Sequence, residues 1–206
     1  MTWTEISTVE DLAALVGAPT PAAAGKVRPA LHDLDRQWLA ASPFCLVATA
    51  DATGACDVSP KGDPAGQLAY VLDDTTVAIA ERPGNRRVDG YRNVLANPSV
   101  GLIFLLPGRG DTLRINGRAR LVSDAPFFDQ MVVRGHRPIL ALVVEVEEVF
   151  HHCAKAFLRS RLWEPETWTD AVPSRPVIAR ALERPEATLA ELTAYYGPSY
   201  AARLYG

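Results

Sequence analysis

Two adjacent arginines, Arg86 and Arg87, follow the turn Pro83-Gly84-Asn85. They precede a segment of helical spacing in which Val88, Tyr91, Val94 and Leu95 share a face. A loop opening into a helix start offers backbone N–H groups without partners and the positive end of the helix dipole. Guanidinium forks placed there match the oxygens of a phosphate; the alternative is a pair of solvated surface arginines. A second candidate is Ser59-Pro60-Lys61-Gly62-Asp63, where a lysine stands between a proline and a glycine at a strand end. Held by a stiff backbone, it suits a donor to a planar ligand or a phosphate, against the alternative of a solvated turn lysine. The third is His151-His152-Cys153-Ala154-Lys155, with Arg159 and Arg161 soon after. Adjacent histidines point to different sides of a strand or a helix and make no ready metal pair. The adjacency of His152 and Cys153 is no sign of thiol catalysis, because such partners meet through the fold. Lys155 and Arg159, four apart, share a helix face and repel one another unless an anion lies between them.

Several absences narrow the chemistry. There is no GxSxG, GxGxxG, Walker loop or HExxH. No catalytic residue and no metal site can be assigned, so a bound cofactor is expected to carry any reaction while the protein holds and tunes it.

The elements that must position these residues read as helices, then strands. Ser7 and Glu10 have capping-box spacing and predict a helix over residues 8–17. A second helix is predicted from about Leu31 to Ala41, closed by Ser42-Pro43. Strands are predicted at Phe44–Ala50, Ala55–Ser59, Leu68–Leu72, Thr76–Ala80, Val100–Leu106, Thr112–Val122 and Ile139–Val149. The central helix carrying Tyr91 ends at Asn97-Pro98, since a residue before proline resists the α conformation. Another helix is expected around Pro126–Val133, and one helical stretch near Ala187–Tyr196 in a proline-rich tail. Hairpin-length links between these strands favour an antiparallel barrel over a parallel sheet.

The 206 residues allow one domain with a sizeable core, at 48% apolar and 22% charged content. A net charge of −3 gives no reason to expect nucleic acid as a partner. Three cysteines without CxxC spacing suggest neither a disulfide framework nor a zinc site. No membrane-length apolar run and no basic-then-apolar leader is visible, so a cytoplasmic protein without membrane contact is expected.

Four blocks in order, SPKGD at 59–63, RPGNRRVDGYRNVLANPSVGLIFLLPG at 82–108, TLRINGRARL at 112–121 and HCAKAFLRSRLW at 152–163, resemble the pyridoxamine 5′-phosphate oxidase-like family of FMN-binding split β-barrels. More narrowly, they are similar to an uncharacterised bacterial subgroup of it. The resemblance implies a mainly β fold with peripheral helices: a six-stranded antiparallel split barrel of Greek-key type, assembled as a homodimer with FMN at the interface. It implies a helical extension over 1–43, the FMN-binding core over 44–162 and a helical tail over 163–206, packed on the barrel or the partner. Asn85, Arg86 and Arg87 would hold the FMN phosphate. Ser59, Pro60 and Lys61 would line the isoalloxazine or ribityl, and Lys155 and Arg159 would reach the site from the partner chain. The implied function is an FMN-dependent oxidoreductase acting on a small molecule. A non-catalytic FMN store or sensor, or a barrel binding a deazaflavin or haem, is the alternative. The chain departs from the true oxidase in its SPKGD strand end and in a C-terminus, YYGPSYAARLYG, without the arginine cluster that binds that enzyme's substrate.

Overall fold

The computed structural model describes residues 2–202, 204 and 205. Met1 of the extension, and Arg203 and Gly206 of the tail, lie outside the described residues. Three helices come first: α1 (Val9–Val16), α2 (Pro21–Ala24) and α3 (Asp33–Ala41). Thr8, not Ser7, caps α1, because its hydroxyl accepts from the Asp11 N–H three residues on. α3 begins two residues later than predicted, since the side chains of His32 and Asp35 together form its capping box.

Seven strands follow: β1 (Phe44–Ala50), β2 (Cys56–Gly62), β3 (Ala69–Asp73), β4 (Thr76–Ala80), β5 (Ser99–Leu105), β6 (Thr112–Val122) and β7 (Ala141–His152), with α4 (Asp89–Ala96) between β4 and β5. They form one antiparallel sheet in the order β2-β1-β5-β6-β7-β4-β3, one strand more than the six of the expected split barrel. The sheet curls until the end of β2 meets the residues after β4. Ion pairs Lys61–Glu81 and Arg82–Asp63, each 2.7 Å, cross that seam. β2 continues past Ser59 and takes in Pro60 and Lys61, because an edge strand tolerates a proline. β7 likewise runs on through His151 and His152.

Alternation along β6 sends Leu113, Ile115 and Ala119 inward and Arg118 and Arg120 outward. With Val47, Ile79, Leu102, Phe104, Val144, Tyr91 and Val94 they make the main core. β4 is buried on both faces: Val77 and Ile79 face this core, while Ala78 and Ala80 pack under Phe128 and Met131 of a short 3₁₀ helix, Pro126–Met131. α5 (Lys155–Ser160) follows β7, and the tail adds α6 (Arg175–Leu182), α7 (Leu189–Tyr195) and α8 (Pro198–Ala201), more helix than the single stretch predicted there. Two of the tail's prolines, Pro176 and Pro198, sit in the first turn of α6 and α8, where a missing N–H costs nothing.

Two contacts fix the frame. At Gly117 the β6–β7 register shifts by one residue, and a Cβ there would stand 2.0 Å from the Glu145 carbonyl oxygen. Gly117→Ala must push the bulge apart, and an expected loss of about 3 kcal/mol is checked by the denaturant midpoint. The second contact ties the N-terminal arm to β7. Arg28 and Val149 exchange backbone hydrogen bonds, and buried Asp35 takes both Arg28 Nη atoms at 2.5 and 2.9 Å, the His32 N–H and His151 Nε2 at 3.1 Å. Burial raises the Asp35 pKa, but the Arg28 and His32 hydrogen bonds outweigh it and hold the carboxyl below its ordinary value. The unfolded chain therefore binds this proton more readily. The stability Asp35 contributes is whole above about pH 4 and is lost as pH falls through its lower folded value. Asp35→Asn should cost about 3 kcal/mol at neutral pH and flatten the acid limb of the stability profile measured by denaturant titration at several pH values.

Candidate functional site

A cavity of about 200 Å³ lies where β1, β2, the 84–88 loop and the first turn of α4 converge. Ser59, Pro60, Lys61, Asn85, Arg86 and Arg87, predicted from two distant blocks, all line it. α4 is held against β1 by Tyr91 and Val94, buried in the core, and by Asn93 Nδ2 donating to Thr49 Oγ1 at 3.1 Å. Val88 and Leu95, placed on the same face by spacing, are exposed; Val88 lies before the helix, which begins only at Asp89.

The loop leading into α4 is strained. Arg86 has φ 60° and Val88 φ 28°, conformations that L side chains rarely adopt and a β-branched valine least of all. Asn85 Oδ1 accepts from the Arg87 N–H at 3.0 Å and fixes the turn. Val88 occupies the N-cap position without a side-chain hydrogen bond, so the helix start keeps uncapped donors facing the loop. Arg87 pairs with Asp89 and is largely exposed. Arg86 makes no ion pair among the described residues.

At the floor, Lys61 Nζ lies 2.7 Å from Glu81 Oε2 and 4.7 Å from the centre of the Tyr91 ring. Tyr91 donates its phenolic proton to the same Glu81 oxygen. Burial, and then the Glu81 carboxylate, push the Tyr91 phenol far above its ordinary pKa, so it remains a donor. Cys45, opposite Lys61 in the β1–β2 register, is buried; that burial pushes its thiol up to about 12 against the pull of Lys61. Lys61 therefore presents half of an ion pair and not a bare cation.

Sequence reasoning missed Glu81 and Tyr91. Glu81 gave one signal, its place before the Arg-Pro-Gly turn; Tyr91 was read only as a core residue. Glu81 and Gly84 also line two neighbouring cavities of about 420 and 700 Å³, so the three spaces meet there.

Lys155 and Arg159 line none of these spaces. They sit on α5, beyond the far end of β7, whereas the cavity touches β7 at Leu142. Ten residues of strand, roughly 30 Å, separate Leu142 from His152. His151 is spent on Asp35. For His152, burial and then Lys26 and Arg114 hold the imidazole pKa below its usual value. Among the described residues no group of three potential ligands could hold a metal, all three cysteines are free, and no helix is long and apolar enough to cross a membrane.

Val88→Gly should relieve the positive φ and supply a better N-cap at once. The expected gain is about 1 kcal/mol, a rise of roughly 2–4 °C in the thermal midpoint. A fall in the midpoint would mean that the loop holds no such strain.

Comparison with known proteins supplies a family context. The pyridoxamine 5′-phosphate oxidase family model matches residues 31–153. Among solved structures, a putative pyridoxamine 5′-phosphate oxidase from Lactobacillus delbrueckii is 22% identical, covering 61% of this chain and 98% of its own, with a TM-score of 0.48. HupZ from Group A Streptococcus is 21% identical, covering 59% and 93%, with a TM-score of 0.47. HutZ, the heme storage protein from Vibrio cholerae, is 14% identical, covering 59% and 93%, with a TM-score of 0.40. No curated protein matches.

Proposed function

The chain belongs to the pyridoxamine 5′-phosphate oxidase family, and from that premise we propose that it binds FMN and acts as an FMN-dependent oxidoreductase on a small molecule. The observation that carries this reading is Arg86: a guanidinium without an ion pair among the described residues, held at positive φ beside an uncapped helix start. A dianionic phosphate suits it, because the N–H groups of that first turn and the guanidinium can donate to several oxygens together. Arg87 adds less, since a phosphate must draw it away from Asp89.

The remaining residues fit the rest of the cofactor. Pro60 and Val58 offer flat apolar surface to a ring. Lys61 and Glu81 set a donor beside an acceptor, both oriented by Tyr91. Bound FMN supplies a two-electron acceptor and donor for the substrate. The chain's own contribution is to hold the phosphate, to align the ring edge with Lys61 and to fix the charge state of that edge through Glu81.

A homodimer belongs to the same proposal. The outward residues Phe44, Leu46, Ile103 and Leu105 are half-buried, and Val58 beside them is 58% exposed while also lining the cavity. A second copy on this apolar face would close the cavity and bring Lys155 and Arg159 within reach from outside.

The test compares FMN with riboflavin, which lacks the phosphate. Wild type should prefer FMN strongly. Arg86→Ala should weaken FMN about ten- to a hundredfold, corresponding to roughly 1.5–3 kcal/mol for one charge-assisted hydrogen bond, and leave riboflavin nearly unaffected. Arg87→Ala should do less. Equal discrimination by wild type and Arg86→Ala would move the phosphate elsewhere. A haem or deazaflavin spectrum in the purified protein would replace FMN altogether, and tight FMN binding without turnover would mark a store or sensor.

A further inference from the structure

Tyr205 is held by several contacts at once. Tyr205 donates its hydroxyl proton to Asp63 Oδ1 at 2.8 Å. Its ring stacks on His136 at 6.0 Å between centroids, with planes 24° apart, and the Arg134 and Arg82 guanidinium groups lie 5.5 and 6.0 Å from its centre. The walls of this slot come from two segments. Arg134 and Gly135, at φ 49° and 82°, form the two-residue turn bridged by Val133 and His136. Arg82 is locked by Asp63 Oδ2 through Nε at 2.7 Å and by the Met131 carbonyl through Nη2 at 3.0 Å. Tyr205 lines both of the larger cavities that open at Glu81 and Gly84.

The slot also has capacity that tyrosine leaves unused. Arg82 Nη1 is buried without a hydrogen-bond partner, and Arg134 makes no ion pair among the described residues. A buried unmet donor is costly, and two guanidinium faces over one ring favour an electron-rich aromatic. Asp63 Oδ1 accepts a hydroxyl proton.

We propose that the slot between Arg82 and the Val133–His136 turn is a binding site for a small hydroxyaromatic acid, occupied in this structure by the chain's own Tyr205. The ligand's hydroxyl takes the place of the tyrosine hydroxyl on Asp63. Its ring lies between the guanidinium groups and His136, and its carboxylate takes up the donors of Arg82 Nη1 and Arg134. Tyr205 must leave for the ligand to enter, so the two compete. This inference does not rest on the flavin reading: Arg86 and Val88 line the largest of the three cavities beside Tyr205, but none of the groups assigned to the ligand is Arg86 or belongs to the helix start.

Equilibrium dialysis of the purified full-length protein with 4-hydroxybenzoate tests it, whatever the protein carries in the first cavity. Tyr205→Ala should bind the probe about tenfold more tightly than wild type, the effect of removing one anchored competitor. Benzoate, without the hydroxyl, should bind Tyr205→Ala about tenfold more weakly than 4-hydroxybenzoate does, and adding Arg134→Gln should weaken the probe by a similar factor. Tyr205→Phe keeps the ring and loses only the bond to Asp63, so it should fall between wild type and Tyr205→Ala; this variant serves if the alanine variant is poorly folded. Equal affinity in wild type and the Tyr205 variants, no binding by any of them, or benzoate binding as well as 4-hydroxybenzoate would overturn the proposal. Failure here leaves the FMN–riboflavin discrimination untouched, and failure there leaves this result standing.

Discussion

A sheet that curls without closing has to be held at its seam, and here two ion pairs do it. Lys61–Glu81 and Arg82–Asp63 join the end of β2 to the residues just after β4. Their side chains are mostly shielded from water, so attraction is screened far less than at a surface pair, and breaking either leaves a charge in a poorly solvated place. The seam is also where the three cavities meet. One set of charges therefore serves both purposes. The barrel keeps its shape through residues whose remaining hydrogen-bonding capacity faces the spaces where a ligand would lie.

The loop after the seam shows the opposite economy. From Pro83 to Val88 the chain accepts two unfavourable backbone conformations and an uncapped helix start. Strain of that kind persists only where the surroundings over-determine it. The surroundings here are firm: Arg82 is fixed on one side, and α4 is anchored through Tyr91 and Val94 on the other. The loop is thus presented as a rigid, donor-rich rim on a packed frame, which is how a binding segment avoids paying ordering entropy when its ligand arrives.

Much of this was legible in the sequence, and the gaps have physical causes. Alternation in Thr112–Val122 and the short apolar runs marked the strands, because a half-buried sheet imposes a period of two. The two blocks that line the first cavity were visible as an arginine pair before a helix and a lysine in a stiff turn. Pro60 misled the strand boundary, since a proline ends a central strand but not an edge one. Pro176 and Pro198 hid two helices by sitting at their starts. Glu81 offered only its place before a turn: its partners Lys61 and Tyr91 lie twenty and ten residues away, and only the curl of the sheet brings all three together. Lys155 and Arg159 share a helix as spacing required, but spacing says nothing about which end of a strand that helix occupies.

The two free borders of the sheet bear on how copies of the chain can meet. β2 carries Pro60 and Lys61 midway to its end, and β3 is five residues long and ends in Asp73. The proline removes a donor from the row that an incoming strand would need, and like charges on repeated borders repel. Strand-by-strand growth into fibres is thus blocked at both borders, while the apolar outer surface of β1 and β5 remains open. The homodimer proposed above would then form face to face, as a closed pair with twofold symmetry.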